Sequence, residues 1–158
     1  PQGKSQGSAV FVSFSGNAQN MPATPAKAAK PRLKILVIDD APAILKMIMI
    51  FLKTDGHTVE TSETGLSIEK QLQTFAPDLL FCDMHMPDQS GQVTIEKARK
   101  FNPELPIIII TGDQQFKLDN TTTADEVLIK PLARDSLQQV LKKYFLNFES
   151  PSTRIIIC

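Results

Sequence analysis

The 158-residue chain has no tryptophan, a single tyrosine, two cysteines and seven glycines. Two cysteines make no disulfide framework. Cys82 sits inside the apolar run LLFCD, where a buried free thiol is expected. A reducing, cytoplasmic setting is the expectation. No apolar stretch approaches the ~20 residues that a membrane span needs, and the start lacks the charged and apolar regions of a signal peptide. There is no GxGxxG and no Walker A motif; Gly3-Lys4-Ser5 lacks the preceding strand and glycine that a phosphate loop requires. Net charge is missing too, because 17 basic residues balance 17 acidic ones. That balance argues against a broad nucleic-acid footprint, so no nucleic acid is expected to bind this chain. The charge is uneven along the sequence. Lys4, Lys27, Lys30 and Arg32 are the only charges before Leu33, which leaves 13 basic against 17 acidic side chains after it.

What is present divides near residue 31. The segment NMPATPAKAAKP has no apolar period and reads as a linker. Upstream, SAVFVSFS alternates partly and is rich in β-formers, so it reads as a strand that needs a sheet edge. From Leu33 onward two periods alternate. LKILVID is a continuous apolar strand, as expected when helices cover both faces of a sheet. Pro42 opens a helix whose stripe is Ile44, Leu45, Ile48, Phe51 and Leu52, and Asp55-Gly56 stops it. Strands follow at 57–63, 78–83, 107–111 and 127–129. Helices are expected over Ile68–Phe75, from about Ser90 to Phe101, and along the stripe Leu137, Val140, Leu141 and Tyr144. The stretch 113–121 is expected to be a short helix or irregular. Five such units predict an α/β fold, a small doubly wound five-stranded parallel sheet with right-handed crossovers. Met47, Met49 and Ile50 read as core packing, and His57 as an ordinary surface residue.

Chemistry collects at the strand ends. Asp39 and Asp40 close the first apolar run, Asp83 closes DLLFCD, Thr111 closes PIIIIT, and Lys130 closes DEVLIK before Pro131. In an open parallel sheet these ends lie side by side along one edge, where such folds place their ligands. Three carboxylates, a hydroxyl and an ammonium in one crevice suit a divalent cation and a phosphoryl group. Mg²⁺ prefers oxygen ligands, and one or two carboxylates usually hold it. Converging carboxylates repel and raise one another's pKa unless a cation sits among them. A carboxylate is also a nucleophile toward phosphorus. Taken singly the residues say less; Asp40, for instance, could be a helix N-cap.

The segments ILVIDDAP, LLFCDMHMPDQSG, IIIITGD and ADEVLIKPL resemble the response-regulator receiver domain (CheY-like), over about residues 33–147. The resemblance implies a flavodoxin-like fold with strand order 2-1-3-4-5. It implies a phosphoacceptor receiver in a two-component His-to-Asp phosphorelay. Asp83 would be the phosphoacceptor, Asp39 and Asp40 the Mg²⁺-binding pair, and the His85 backbone carbonyl a further metal ligand. Thr111 and Lys130 would contact the phosphoryl group, and Lys130-Pro131 would be cis. The implied partner is a histidine kinase or a histidine phosphotransfer domain, with dimerisation through the family's helix 4–strand 5–helix 5 face. On this reading the domains are an arm and linker at 1–31, a receiver at 32–148 and a tail at 149–158. Gly7-Ser8 before VFVSFS weakly resembles the last strand of a histidine-kinase ATP-binding domain. That would make the chain the receiver of a hybrid sensor kinase, on the cytoplasmic side of a membrane. Two departures concern output: Val127 stands where the family usually has an aromatic, and the chain between Thr111 and Lys130 is short, with TTTAD in place of a Gly-Ala-Asp turn. A phosphorylation-independent interaction module and a small Mg²⁺-dependent phosphohydrolase are the alternatives. The first would fit a lost acid, Thr or Lys, and none is lost. The second would need a second acid-base group near Asp83.

Overall fold

The computed structural model describes residues 31–148; the SAVFVSFS strand, the linker and the ESPSTRIIIC tail lie outside the described residues. The elements run β1 (Lys34–Ile38), α1 (Pro42–Thr54), β2 (Thr58–Ser62), α2 (Ile68–Phe75), β3 (Leu79–Asp83), α3 (Gly91–Phe101), β4 (Ile107–Thr111), β5 (Glu126–Ile129) and α4 (Arg134–Phe148). All pairings are parallel and the order is β2-β1-β3-β4-β5. This is the expected doubly wound sheet. Alternate residues of the central strands face opposite layers. Ile35, Val37, Phe81, Ile108 and Ile110 pack with Leu45, Ile48 and Leu52 of α1 and with Leu137, Val140 and Leu141 of α4. Leu36, Ile38, Leu80, Cys82 and Ile109 pack on the other face with Ile68 and Leu72 of α2 and with Ile95 and Ala98 of α3. Both faces being covered is why the strands read as unbroken apolar runs. Each fully buried Leu or Ile contributes about 1.5–3 kcal/mol.

Helix ends follow their local chemistry. Pro42 occupies the first turn of α1. Asp40 is not the cap that its position suggests. The cap is Ala41, and the Ala41 N–H donates to Asp39 Oδ1 at 2.9 Å, so the earlier acid makes the turn. The chain leaves α1 through Gly56 at φ 94°, a left-handed conformation suited to glycine. Ser90 caps α3 by accepting the Val93 N–H.

Two sequence expectations fail. His57 is buried, 8% exposed, and its Nδ1 accepts the Leu33 N–H at 3.3 Å. It satisfies a backbone donor where β1 begins. Ile50 is half exposed, while Met47 does pack against the core.

No helix forms between β4 and β5, where the sequence left a short helix or irregular chain open. Asp119 accepts the N–H groups and hydroxyls of Thr121 and Thr122, a local pattern that competes with helix formation. These bonds favour the charged form and pull the Asp119 pKa down to about 2. Phe116, Ala124 and Val127 pack on the sheet here instead of a helix. Arg99 of α3 ties the segment down. Its guanidinium donates to Thr123 O at 2.6 Å, Pro103 O at 2.9 Å, Leu105 O at 2.5 Å and Asp125 Oδ2 at 2.5 Å. Arg99→Met should destabilise the domain by about 2 kcal/mol, because it strands partly buried acceptors of a charged donor. Arg99→Lys should recover little, since an ammonium lacks the planar fork. Urea melts of the three proteins check this.

Candidate functional site

Four of the five strands, β1, β3, β4 and β5, deliver a residue at or just past their C-terminal ends to one edge. Asp83 ends β3 and Thr111 ends β4; Asp39 and Asp40 follow β1, and Lys130 follows β5. Register sets the neighbours: Asp83 pairs with Ile110, and Thr111 with Ile129. The Lys130 N–H then donates to Thr111 O at 2.7 Å, so the lysine enters the site directly off the ladder. Its next peptide bond, Lys130-Pro131, is cis.

The predicted acids come together. Asp39, Asp40 and Asp83 each offer a carboxylate oxygen within 4.8 Å of the others. Asp39 and Asp83 are buried and Asp40 is exposed. Lys130 Nζ bridges the buried pair, 2.7 Å from Asp39 Oδ2 and 3.2 Å from Asp83 Oδ2. The approach to Asp39 is close but too oblique for a hydrogen bond, which leaves Asp39 Oδ2 a buried oxygen without a well-aligned donor. An all-oxygen cluster with such an atom fits a hard divalent cation.

Electrostatics agree with the geometry. Burial pushes the Asp83 carboxyl above the usual carboxylate range, and the Asp39 charge adds to it. The His85 N–H at 3.3 Å and Lys130 offset only part of this. Burial alone would lower the Lys130 pKa, but its pairing with Asp39 and Asp83 outweighs that and raises it. The ammonium therefore stays charged. Below the pocket, burial first, and then the two carboxylates, push the Cys82 thiol up, so it is the inert core thiol expected.

Thr111 is fully buried, and its Oγ1 accepts the Asp113 N–H at 3.1 Å. That bond uses a lone pair and leaves the hydroxyl proton for an incoming oxygen. The His85 side chain is solvent-exposed, and its backbone N–H meets Asp83 Oδ1 at 3.3 Å. Val127 lies half-buried in the sheet layer, so no aromatic stands there. Sequence reasoning missed Gly65, Gln89 and Thr94, which meet beside the loop after β3. An isolated loop glycine and a glutamine carry no signal of their own, and their contacts span up to 24 residues.

Known proteins are similar to this chain in sequence and in fold. The transcription factor SKN7 of Saccharomyces cerevisiae is 30% identical over 135 residues, covering 84% of this chain and 21% of that protein. The transcriptional regulatory protein ZraR of Escherichia coli K12 is 30% identical over 121 residues, 75% of this chain and 27% of that one. The chain thus spans between a fifth and a third of the length of these two relatives. Among solved structures, the response regulator TrrA of Thermotoga maritima, in complex with Mg²⁺-BeF, is 31% identical with a TM-score of 0.65, covering 70% of this chain and 96% of that one. A CheY-like receiver domain protein of Methanospirillum hungatei is 27% identical with a TM-score of 0.67, over 75% and 98% of the two chains. The family model for the response regulator receiver domain matches residues 35–142, from β1 into α4 and across every strand end that supplies the pocket. By fold, by pocket and by this match, the chain belongs to the response-regulator receiver domains.

Proposed function

We propose that Asp83 is the phosphoacceptor, that Asp39, Asp40, Asp83 and the His85 carbonyl hold Mg²⁺, and that Thr111 and Lys130 receive the phosphoryl oxygens. The observation that carries this is Lys130 lying across two buried carboxylates beside a hydroxyl with its proton to spare. One Asp83 oxygen attacks phosphorus, the bond from phosphorus to the donor's leaving atom breaks, and an acyl phosphate remains. Mg²⁺ held by Asp39, Asp40, Asp83 and the His85 carbonyl would supply positive charge to offset that of the transferred group. Lys130 then exchanges its Asp83 contact for a phosphoryl oxygen while keeping Asp39, and Thr111 donates its O–H to another. Nothing here demands a separate general base, because the attacking carboxylate carries no proton to remove. The chemistry fits a phosphohistidine donor on a kinase or phosphotransfer domain, in a cytoplasmic setting.

The reading is tested with acetyl phosphate. In Mg²⁺ the protein should gain a ~80 Da adduct by intact mass, and chelation should prevent it. No adduct under conditions that label another receiver would sink the proposal. Steady turnover of unrelated phosphate esters would point to a hydrolase instead.

A further inference from the structure

We infer that Gln89 is a positioning residue for this site: its side-chain amide bolts down the loop after the acceptor, residues 84–90, and so sets where the His85 backbone stands. The inference rests on the receiver reading above.

The loop carries His85, whose N–H meets Asp83 Oδ1 at 3.3 Å. Met86 anchors the middle of the loop in the core. Gln89 anchors its far end. Gln89 Nε2 lies 3.0 Å from Gly65 O and 3.0 Å from Thr94 Oγ1, and Lys97 Nζ lies 3.2 Å from Gln89 Oε1. A carbonyl only accepts and an ammonium only donates, so the amide can face one way alone. Thr94 is fully buried and gives its own proton to Ser90 O at 3.3 Å, so its oxygen must accept from Gln89. Both amide protons and the amide oxygen are therefore committed.

The junction is built for close approach. A Cβ on Gly65 would stand 2.1 Å from Thr94 Oγ1 and 3.1 Å from Gln89 Nε2. Lys97 also faces Glu69 of α2 at 3.8 Å. One side chain thus joins the loop after β2, the loop after β3 and α3, with α2 reached through Lys97. The partners lie outside the 84–90 loop, Gly65 in the turn before α2 and Thr94 and Lys97 in α3, so they can serve as a reference for His85. A glutamine serving fold stability alone would lower the melting temperature and leave the metal requirement untouched.

Gln89→Met keeps the length and removes all three bonds. Gln89→Glu keeps the acceptor for Lys97 but sets a carboxylate oxygen against Gly65 O. Lys97→Met removes the third bond alone. Two quantities are read: amide hydrogen exchange of 84–90 in metal-free protein, and the Mg²⁺ concentration giving half-maximal labelling by acetyl phosphate. Both Gln89 variants should exchange faster in 84–90. Their Mg²⁺ midpoint should rise about 5- to 10-fold, the scale of losing a supporting hydrogen bond behind a metal ligand. Lys97→Met should shift the midpoint by less than about twofold, since it leaves both amide donations in place. Should Gln89→Met fail to fold, Gln89→Glu decides. A lowered melting temperature with an unmoved Mg²⁺ midpoint, or unchanged exchange in 84–90, overturns the inference. If the wild type takes no label, the receiver reading falls first and this inference with it.

Discussion

Asp83→Asn will abolish the phosphoryl adduct and at the same time raise the melting temperature of the metal-free domain. The first half follows from chemistry. An amide nitrogen or oxygen is no substitute for a carboxylate nucleophile, and Asp39 and Asp40 hold other positions in the cluster. The second half follows from the cost of the native charge. Burial, with Asp39 close by, holds the Asp83 carboxyl above its ordinary pKa, so ionising it costs more in the folded state than in the unfolded one. A raised carboxyl pKa means the native state binds the proton more tightly. Stability from this group is then fully present below the unfolded pKa and is lost as pH rises through the folded one. At neutral pH the wild type bears that cost and the asparagine variant does not. Asparagine offers fewer acceptor sites to Lys130 and the His85 N–H, an opposing effect that Lys130 softens by keeping Asp39 at 2.7 Å. Paired thermal melts in chelator and in Mg²⁺ test the claim. Wild type should gain more from Mg²⁺ than the variant, because the ion relieves repulsion that the variant has lost. A variant that melts below wild type in chelator would show that Lys130 already offsets the buried charge in full.

Gly91→Ala should be the most damaging single methyl in the domain. The added Cβ would lie 2.2 Å from Asp83 O and 2.6 Å from the Met84 Cα. Both neighbours are backbone, so no side chain can swing aside. The Gly91 N–H also donates to Met84 O at 3.1 Å, which binds the start of α3 to the acceptor's own strand end. Room for the methyl can come only by pushing Asp83 and Met84 away from α3. Overpacking of this kind costs about 3 kcal/mol. A displacement near 1 Å at the reacting group slows its chemistry about 100-fold. Urea melts and acetyl phosphate labelling rates read the two effects separately. Gly112→Ala is the control. That residue follows Thr111 at the same edge, but its added Cβ meets nothing within 4 Å. Its stability should stay within about 0.5 kcal/mol of wild type. Equal melts for the two variants would show that the loop absorbs the methyl.

Much of this is legible in the sequence, and the reason is physical. A parallel sheet covered on both faces writes its strands as continuous apolar runs, so the residue that breaks each run marks the strand end. Asp39, Asp83, Thr111 and Lys130 were visible for that reason. Pro42, Asp55-Gly56 and Ser90 likewise mark helix ends through constraints that act locally. Contacts between distant segments were not visible. His57 sits between a turn glycine and the threonine that opens a strand, neither of which signals burial, and its partner Leu33 is 24 positions away. Asp39 and Asp40 are adjacent acids, and only the folded chain decides which one turns back to Ala41. Ile50 is a different case. It lies two residues beyond Ile48, about 200° round the helix, and its exposure was legible had the cluster Met47, Met49 and Ile50 been read as positions on a cylinder.

The helix-free link between β4 and β5 makes the sheet unequal from side to side. β1, β3 and β4 are buried between helical layers, whereas β5 is a four-residue margin strand with no fully buried residue. Local opening is cheapest where backbone hydrogen bonds lie near solvent and few apolar contacts must part. By that measure β5, like the opposite margin strand β2, is softer than the central strands, and Lys130 hangs directly from it. The pocket therefore joins a stiff half, carrying the three acids, to a compliant half, carrying the ammonium. An anion that grips both halves tightens the compliant one most. Ligation here would register first as stiffening of one margin of the sheet, ahead of any change in its shape.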